Sequence, residues 1–418
     1  MATTVITGAT VWDGLSESAV AGTIVVSGDR IVSCGPAVDL PDGAEVVDLS
    51  GHTVTPGFMD CHTHVTINPD IGPSALMRGS AQKALGALSV LKELLGNGFT
   101  TIRDLCGTDV DPTTLYLRDA VAAGLIEGPR MLVAPHLISA RGGHGDFSGA
   151  MAGEFQCDHR ALELAAADGP DEIRTRVRQQ IRYGADWIKF AASGGFSTPS
   201  DDPALPTYSQ EEMNTLVATA KDLGVPVTPH CVCDDGVKRA VRAGVRSIEH
   251  GNLASAEALT MMQDHGVFLV PTQYTMLDDA RRVDDDAYWK GQPVYKRRKY
   301  QRYAKDLLDS AELVADSAIK LAFGTDAGMF PHRDNWREFP MLVANGISAH
   351  RALTSATSVA AELLGLDDLG TIAPGKIADL IAMPGDPFTD IAVTGQVDFV
   401  MKEGVIHQRP PSPAGSAG

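Results

Sequence analysis

Short apolar runs that alternate with helix-compatible segments through the middle of the chain, and β-type stretches at both ends, predict an α/β fold. Eight such β/α units between residues 56 and 364 suit a (β/α)8 TIM barrel with insertions better than an open doubly wound sheet. The absence of a Gly-x-Gly-x-x-Gly run after the first strand removes the case for a dinucleotide-binding fold. A small β domain, assembled from both termini as a sandwich, completes the expected architecture.

The elements follow in order. Residues 1–55 hold short β-type runs at 4–6, 23–27, 31–33 and 45–48, punctuated by Gly and Asp. Barrel strands are expected at 56–61, 100–104, 130–134, 187–190, 225–229, 247–249, 267–270 and 318–324. Helices are expected at 171–183, opened by Pro170-Asp171-Glu172, and at 209–223, opened by Ser209 with Glu212 three residues on. Strand-like runs return at 378–383 and 399–401. The expected division is therefore a β domain from 1–55 plus 365–409, a barrel over 56–364, and a disordered Pro/Ser/Gly/Ala-rich tail at 410–418.

Composition sets outer limits. The 418 residues carry 35 Lys+Arg against 53 Asp+Glu, a net charge of −18, which gives no electrostatic footprint for nucleic acid or an anionic membrane. No apolar run approaches a membrane span, and the opening MATTVITGATVWDG lacks a basic start followed by an apolar core, so a cytoplasmic protein is expected. Six cysteines, at positions 34, 61, 106, 157, 231 and 233, form no Cys-x-x-Cys pair, and a disulfide framework is not expected.

Chemistry in a barrel of this kind sits at the C-terminal ends of the strands. Strand one ends in Asp60-Cys61-His62-Thr63-His64, strand four carries Lys189, strand five ends at His230, strand six at His250 and strand eight at Asp326. Five strand ends thus bring six potential metal ligands together. Neutral imidazole is the commonest protein ligand for zinc-like ions, and residues two apart in a strand project to one side. Lys189 in Asp186-Trp187-Ile188-Lys189-Phe190 is an ammonium in an apolar strand, which must pair, snorkel or become neutral. It is either a partner for Asp326 or an amine reactive towards carbon dioxide, whose carbamate would bridge two cations.

The motifs Pro56-Gly57-Phe58-Met59-Asp60-Cys61-His62-Thr63-His64, Ile188-Lys189, Ala192-Ser193-Gly194-Gly195, Ser247-Ile248-Glu249-His250-Gly251, Gly324-Thr325-Asp326-Ala327-Gly328 and Pro374-Gly375-Lys376-Ile377-Ala378-Asp379-Leu380 resemble the amidohydrolase superfamily. Within it they resemble the branch of Xaa-Pro dipeptidase-like and related metal-dependent carboxypeptidases, ochratoxin-degrading amidases, and phenylurea and thiocarbamate hydrolases. The resemblance runs from about residue 8 to residue 404 with six motifs in the same order. It implies a distorted (β/α)8 barrel with a two-ended β-sandwich. By it, His62, His64 and Asp326 hold the more buried of two divalent ions, His230 and His250 hold the second, and carboxylated Lys189 bridges them. Zinc is the expected metal, with manganese and cobalt as alternatives. The implied reaction is attack of a metal-bridging hydroxide on a carbonyl carbon, with Asp326 relaying the proton to the leaving nitrogen. His144, in Arg141-Gly142-Gly143-His144-Gly145 after strand three, matches the histidine that hydrogen-bonds the scissile carbonyl oxygen.

Substrate identity is less directly written. Relatives that bind a free carboxylate commonly place Tyr or His two residues after the strand-five histidine, where this chain has Val232, which cannot donate such a bond. Lys238, on the following helix, and His332, after strand eight, are further expected substrate contacts, whereas His52, His159, His265, His350 and His407 read as structural or surface residues. The stretch 276–303, with Tyr288, Trp289, Tyr295, Tyr300 and Tyr303, reads as either a lid with an aromatic inner face or a helical excursion packed on the barrel or on a second subunit of a homo-oligomer. The expected activity is hydrolysis of an amide or peptide-like C–N bond in a small molecule. An N-aryl or N-alkyl urea or carbamate hydrolase is the alternative, and a cyclic-amide hydrolase or a non-catalytic binding protein is less favoured.

Overall fold

The structure is a computed structural model that describes residues 2–36, 38, 41–67, 78–146 and 166–411. The two ends of the chain build one β unit. A six-stranded sheet runs in the order Val405–Gln408, Phe399–Lys402, Leu380–Pro384, His52–Pro56, Thr10–Val11 and Val20–Ala21. Its centre is an antiparallel pair in which Leu380 faces Pro56 and Pro384 faces His52. A second, four-stranded sheet has the order Arg30–Gly35, Thr23–Ser27, Thr3–Thr7 and Glu45–Asp48. Ile6, Ile24, Val26 and Val47 from this sheet pack against Val54, Leu380, Phe399 and Met401 from the other, which is the alternating inward face of a sandwich.

Pro56 passes directly into the barrel. Three parallel strands, Phe58–Thr63, Phe99–Asp104 and Arg130–Val133, form one arc, and Leu137–Ile138, Ile188–Ala191, Val227–Cys233, Ser247–Leu253 and Phe268–Val270 form the other. The arcs join on one side where Val133 O accepts from Asp186 N at 2.9 Å. Closure on the other side differs from the continuous strand expected at 318–324. The segment bonds both neighbours, through Ala322 N to Leu269 O (2.9 Å) and Cys61 N to Phe323 O (2.9 Å), but pairs only through isolated bridges. Its neighbours crowd it: a Cβ on Gly324 would lie 2.3 Å from Val270 Cγ1 and 3.0 Å from the Cβ of His62. The chain then turns left-handed at Asp326 (φ 62°), beyond which one further bridge joins Ala327 to Thr63.

The other seven expected strands are present, their ends shifted by up to four residues. Ser209 caps the helix Gln210–Asp222 in a reciprocal capping box with Glu212, and the helix Gly169–Tyr183 stops at left-handed Gly184. Helices Gln273–Arg281 and Val294–Asp316 occupy the region whose role the sequence left open. Their inner faces bury Met276, Tyr300, Tyr303 and Leu307 with Trp289 against Phe196 and Val232 of this same chain, at the C-terminal end of the barrel. No helix among the described residues is long and apolar enough to cross a membrane. Cys34, Cys61, Cys106, Cys231 and Cys233 are free thiols, whereas Cys157, His159 and most of the tail at 410–418 lie outside the described residues.

Candidate metal centre

Parallel pairing sets the heights of the side chains. Lys189 is level with Thr228, Ala191 with His230, His230 with Glu249, and Cys231 with His250, so the fourth, fifth and sixth strands bring their polar residues to one end. His62 closes the first strand, with His64 just beyond it, and Asp326 follows the closing segment. All six residues are 1–8% exposed. Asp326 Oδ1 lies 3.0 Å from His64 Nε2 and 3.5 Å from His62 Nε2. The His62 and His250 rings are 5.0 Å apart and those of His230 and His250 are 4.5 Å apart. One ligand atom each from His62, His250 and Asp326 falls within 4.8 Å of the others.

The second nitrogen of each imidazole has its own partner, and that partner decides which nitrogen is left to bind. His62 Nδ1 meets Glu249 Oε2 at 2.9 Å, and His64 Nδ1 meets the Cys106 carbonyl at 3.0 Å. Both partners only accept, so Nδ1 carries a proton in each ring and the Nε2 edge faces the Asp326 carboxylate. Acceptors in contact at 3.0 Å need a proton or a cation between them. His230 is turned the other way, with Nε2 donating to Gly194 O at 3.1 Å and Nδ1 left over, while His250 Nδ1 meets Thr272 Oγ1 at 2.7 Å.

The electrostatics agree with this arrangement. Burial, reinforced by the Lys189 charge, pushes His62 well below the ordinary imidazole value, and burial with the neighbouring His144 and His62 respectively does the same to His230 and His250. Against burial, contacts with Cys106 and Asp326 raise His64 well above it. Against burial too, His62 and His64 hold Asp326 below the usual carboxylate range. Lys189 Nζ is fully buried and makes no hydrogen bond, and burial brings its ammonium down to about 8. Among the described residues, four of the five non-glycine residues with positive φ stand here: Cys106, His250, Thr272 and Asp326. Such conformations cost on the order of 1–3 kcal/mol each and cluster where function requires them. Acceptors set face to face, an orphaned buried amine and local strain all fit a cation site.

Two supports escaped the sequence reading. Glu249 is completely buried; its Oε1 accepts from Arg103 (2.6 Å), Thr228 Oγ1 (2.5 Å) and Ser247 Oγ (3.0 Å), while Oε2 holds His62. Arg103 also donates to Cys61 O and stacks over the Trp187 ring, 4.4 Å from its centroid. A charged residue in each of two buried strands was the available signal. The second support concerns His144, which stacks on His230 with ring centroids 4.1 Å apart. Its Nδ1 meets Thr198 Oγ1 (3.0 Å) and Asp201 Oδ2 (3.3 Å). Lys299, from the helix Val294–Asp316, clamps Asp201 (2.7 Å) together with the carbonyls of Gly195 and Thr198 (2.6 Å each). Against burial, these bonds hold Asp201 at about 2.

Two other expected contacts, Val232 and Lys238, lie apart from this group, whereas His332 touches the backbone of one of its members. Val232 is fully buried in the apolar cluster with Phe196 and Met276, and its N–H donates to Ser193 Oγ. Lys238 is paired with Asp234 on its own helix (2.9 Å) and with Glu257 of the next helix (2.5 Å). His332 Nε2 meets the main-chain oxygen of His64 at 3.1 Å, which places it against the first strand's end rather than among the residues lining the neighbouring cavity. His52, His350 and His407 bond backbone or carboxylate groups far along the chain, and His265 bonds the Met261 carbonyl one helical turn before it.

Comparison with known proteins places the arrangement. Residues 53–406 match the amidohydrolase family model. The ochratoxinase of Aspergillus niger is 28% identical over 411 residues, covering 93% of this chain and 83% of its own length. The crystal structure of a Xaa-Pro dipeptidase with bound methionine in the active site superimposes with a TM-score of 0.89 at 33% identity, covering 97% of this chain and all of the other. The crystal structure of A. niger ochratoxinase superimposes with a TM-score of 0.83 at 26% identity, covering 98% and 96%. By its match over most of its length, its barrel and its buried His/Asp group, the chain belongs to the amidohydrolase family, hydrolases of carbon–nitrogen bonds.

Proposed function

We propose that this protein is a binuclear metal-dependent amidohydrolase that cleaves an amide or peptide-like bond in a small molecule. The observation that carries the reading is the buried Lys189 amine, without a hydrogen-bond partner among the described residues and within electrostatic reach of His62, His230, His250 and Asp326. A lone buried ammonium is costly, whereas its neutral form can add carbon dioxide, forming an N–C bond, releasing one proton and leaving an anionic carbamate. His62, His64 and Asp326 would hold one divalent cation, His230 and His250 the other, and the carbamate would join them. Zinc is the expected metal, with manganese or cobalt compatible with the same donors. Bound there, the cations supply Lewis-acid polarisation of the carbonyl and water activated near neutral pH.

The chain's own groups do the rest. Asp326, held ionised by His62 and His64, takes a proton at its carboxylate and returns it to the departing nitrogen, which leaves only when protonated. Asp201 and Thr198 orient His144, whose Nε2 edge is the free one for the scissile carbonyl oxygen. The division into a composite β domain (1–55 plus 365–409) and a hydrolase barrel (56–364), a cytoplasmic location and a homo-oligomeric assembly belong to the same proposal.

Metal analysis of metal-replete protein should find close to two divalent ions per chain. Lys189→Ala should reduce amide hydrolysis by at least about 10²-fold, with partial recovery on adding small carboxylic acids. One ion per chain, or undiminished activity of the variant, would overturn the binuclear reading.

A further inference from the structure

A cavity of about 200 Å³ reaches Asp326, and its wall is drawn from the loop after strand four and the helices Gln273–Arg281 and Val294–Asp316. Phe196, Met276, Pro293, Tyr295, Tyr300 and Met329 make its apolar surface, Ser197 and Thr275 are polar, and Asp279, Lys296 and Asp326 are its charged members. We infer that it receives an uncharged, ring-sized apolar group attached beside the scissile bond, and that it discriminates against the same group bearing a carboxylate. The inference rests on the amide-hydrolase reading and names the substrate class of that site.

Size sets the first limit. An apolar cavity of roughly 150 Å³ accommodates benzene, so the present one has room for a single substituted aromatic ring. The wall is rigid on that side, because Phe196 stacks on Tyr300 at 4.3 Å and 24°, and Trp289 backs Tyr300 at 5.7 Å. Transfer of a ring from water to such a surface is favourable, whereas a charged group entering it loses hydration without gaining a partner.

Charge sets the second limit. Lys296 is the sole cationic side chain among the described residues lining the cavity, and it is already engaged. Its Nζ lies 2.7 Å from Asp279 Oδ2, and the other oxygen of Asp279 accepts from Tyr288 OH at 2.5 Å. The Asp279 side chain is 7% exposed, so water does little to screen it. A substrate carboxylate would therefore meet the Asp279 carboxylate with the cavity's one ammonium already taken. Outside the cavity, Lys238 and Arg239 are likewise paired, with Asp234 and Asp235.

The test uses the metal-loaded full chain and three amides that share an acyl group: propionanilide, its 4-carboxy derivative and propionamide. Turnover gives kcat/KM, and calorimetry on the same compounds gives Kd. Propionanilide should exceed each of the others by at least about tenfold in kcat/KM or, where turnover is absent, in affinity. Absence of turnover with every amide, together with this order of affinities, would sink the amide reading and leave the pocket inference standing. Equal or better use of the carboxylated compound or of propionamide by the parent protein would overturn the pocket inference. Asp279→Asn, which releases Lys296, should raise the preference for the carboxylated anilide relative to propionanilide at least about tenfold. An unchanged ratio in the folded variant would overturn the assignment of discrimination to this pair.

Discussion

Replacing Glu249 by Gln changes one atom and reverses the logic of the hydrogen bonds beneath the centre. In the parent, one carboxylate oxygen serves Arg103, Thr228 and Ser247, and the other receives the Nδ1 proton of His62 at 2.9 Å. Gln has a single acceptor oxygen, and the Arg103 side demands it. The amide N–H then faces His62 Nδ1, which satisfies it only by giving up its proton to Nε2, the atom that looks toward Asp326 at 3.5 Å. A metal ligand would have to lose that proton before binding. Loss of such an outer partner lowers metal affinity about 10–100-fold, or roughly 1.4–2.7 kcal/mol. Separately, the fully buried Arg103 guanidinium is left without its counter-charge, a destabilisation of about 3–5 kcal/mol. Competition against a chromogenic chelator reads the affinity, and thermal unfolding in excess chelator reads the stability. Adding Arg103→Met to Glu249→Gln should recover stability and also part of the affinity, because the amide can then turn its oxygen to His62 Nδ1 and its NH2 to the Thr228 and Ser247 hydroxyls. A metal Kd of the folded Glu249→Gln variant within threefold of the parent would refute the tautomer argument.

Two further outcomes follow from geometry and burial. A Cβ on Gly195 would lie 2.2 Å from His144 Cε1, where contacts under 3.0 Å are essentially never seen. Gly195→Ala should therefore displace His144 by about 1 Å and lower kcat about 10²-fold with metal content unchanged; activity within threefold of the parent would show that His144 has no positioned role. The Glu338 carboxyl accepts from Gln273 N and Tyr274 N inside the protein, and burial pushes it up to about 8. Between the unfolded value near 4.5 and that point, the folded chain keeps a proton that the unfolded chain has lost. The stability contribution is whole below the unfolded value and drains away by about 1.4 kcal/mol per pH unit as pH rises toward 8. Urea unfolding between pH 5 and 9 in excess chelator should show a shallower decline for Glu338→Gln, and parallel slopes for the two proteins would refute the assignment.

The residues around the centre were legible because each breaks a local rule. A histidine, lysine or aspartate at the C-terminal end of an apolar strand is expensive unless it has work to do, and one strand at a time the sequence exposes that anomaly. Arg103 and Glu249 break the same rule, yet they are 146 residues apart, and nothing in either strand names the other. The Lys299 clamp on Asp201 is hidden for a similar reason, since it joins a helix after strand seven to a loop after strand four, 98 residues away. The broken eighth strand was unreadable because nothing in the sequence shows that Val270 and His62 leave no room for a side chain at Gly324, a matter of packing rather than propensity. The packing of Tyr300 and Tyr303 on Phe196 settled which face of 276–303 is buried, something aromatic spacing alone left open.

The antiparallel pairing of His52–Pro56 with Leu380–Pro384 also imposes a timetable on the nascent chain. The first of these strands leaves the ribosome more than 320 residues before its central neighbour, an interval of roughly 15–65 s at about 5–20 residues per second. Throughout that time the edge running from His52 to Pro56, bearing Val54 that is wholly enclosed in the finished fold, has no permanent partner on one side. An unpaired apolar edge recruits other strands, so the vulnerable period in the life of this protein is its synthesis. Moving the last three strands, Leu380–Pro384 included, ahead of residue 52 by circular permutation would shorten the wait to roughly 4–17 s at the same rate, and a higher soluble yield without chaperone help is the trace it would leave.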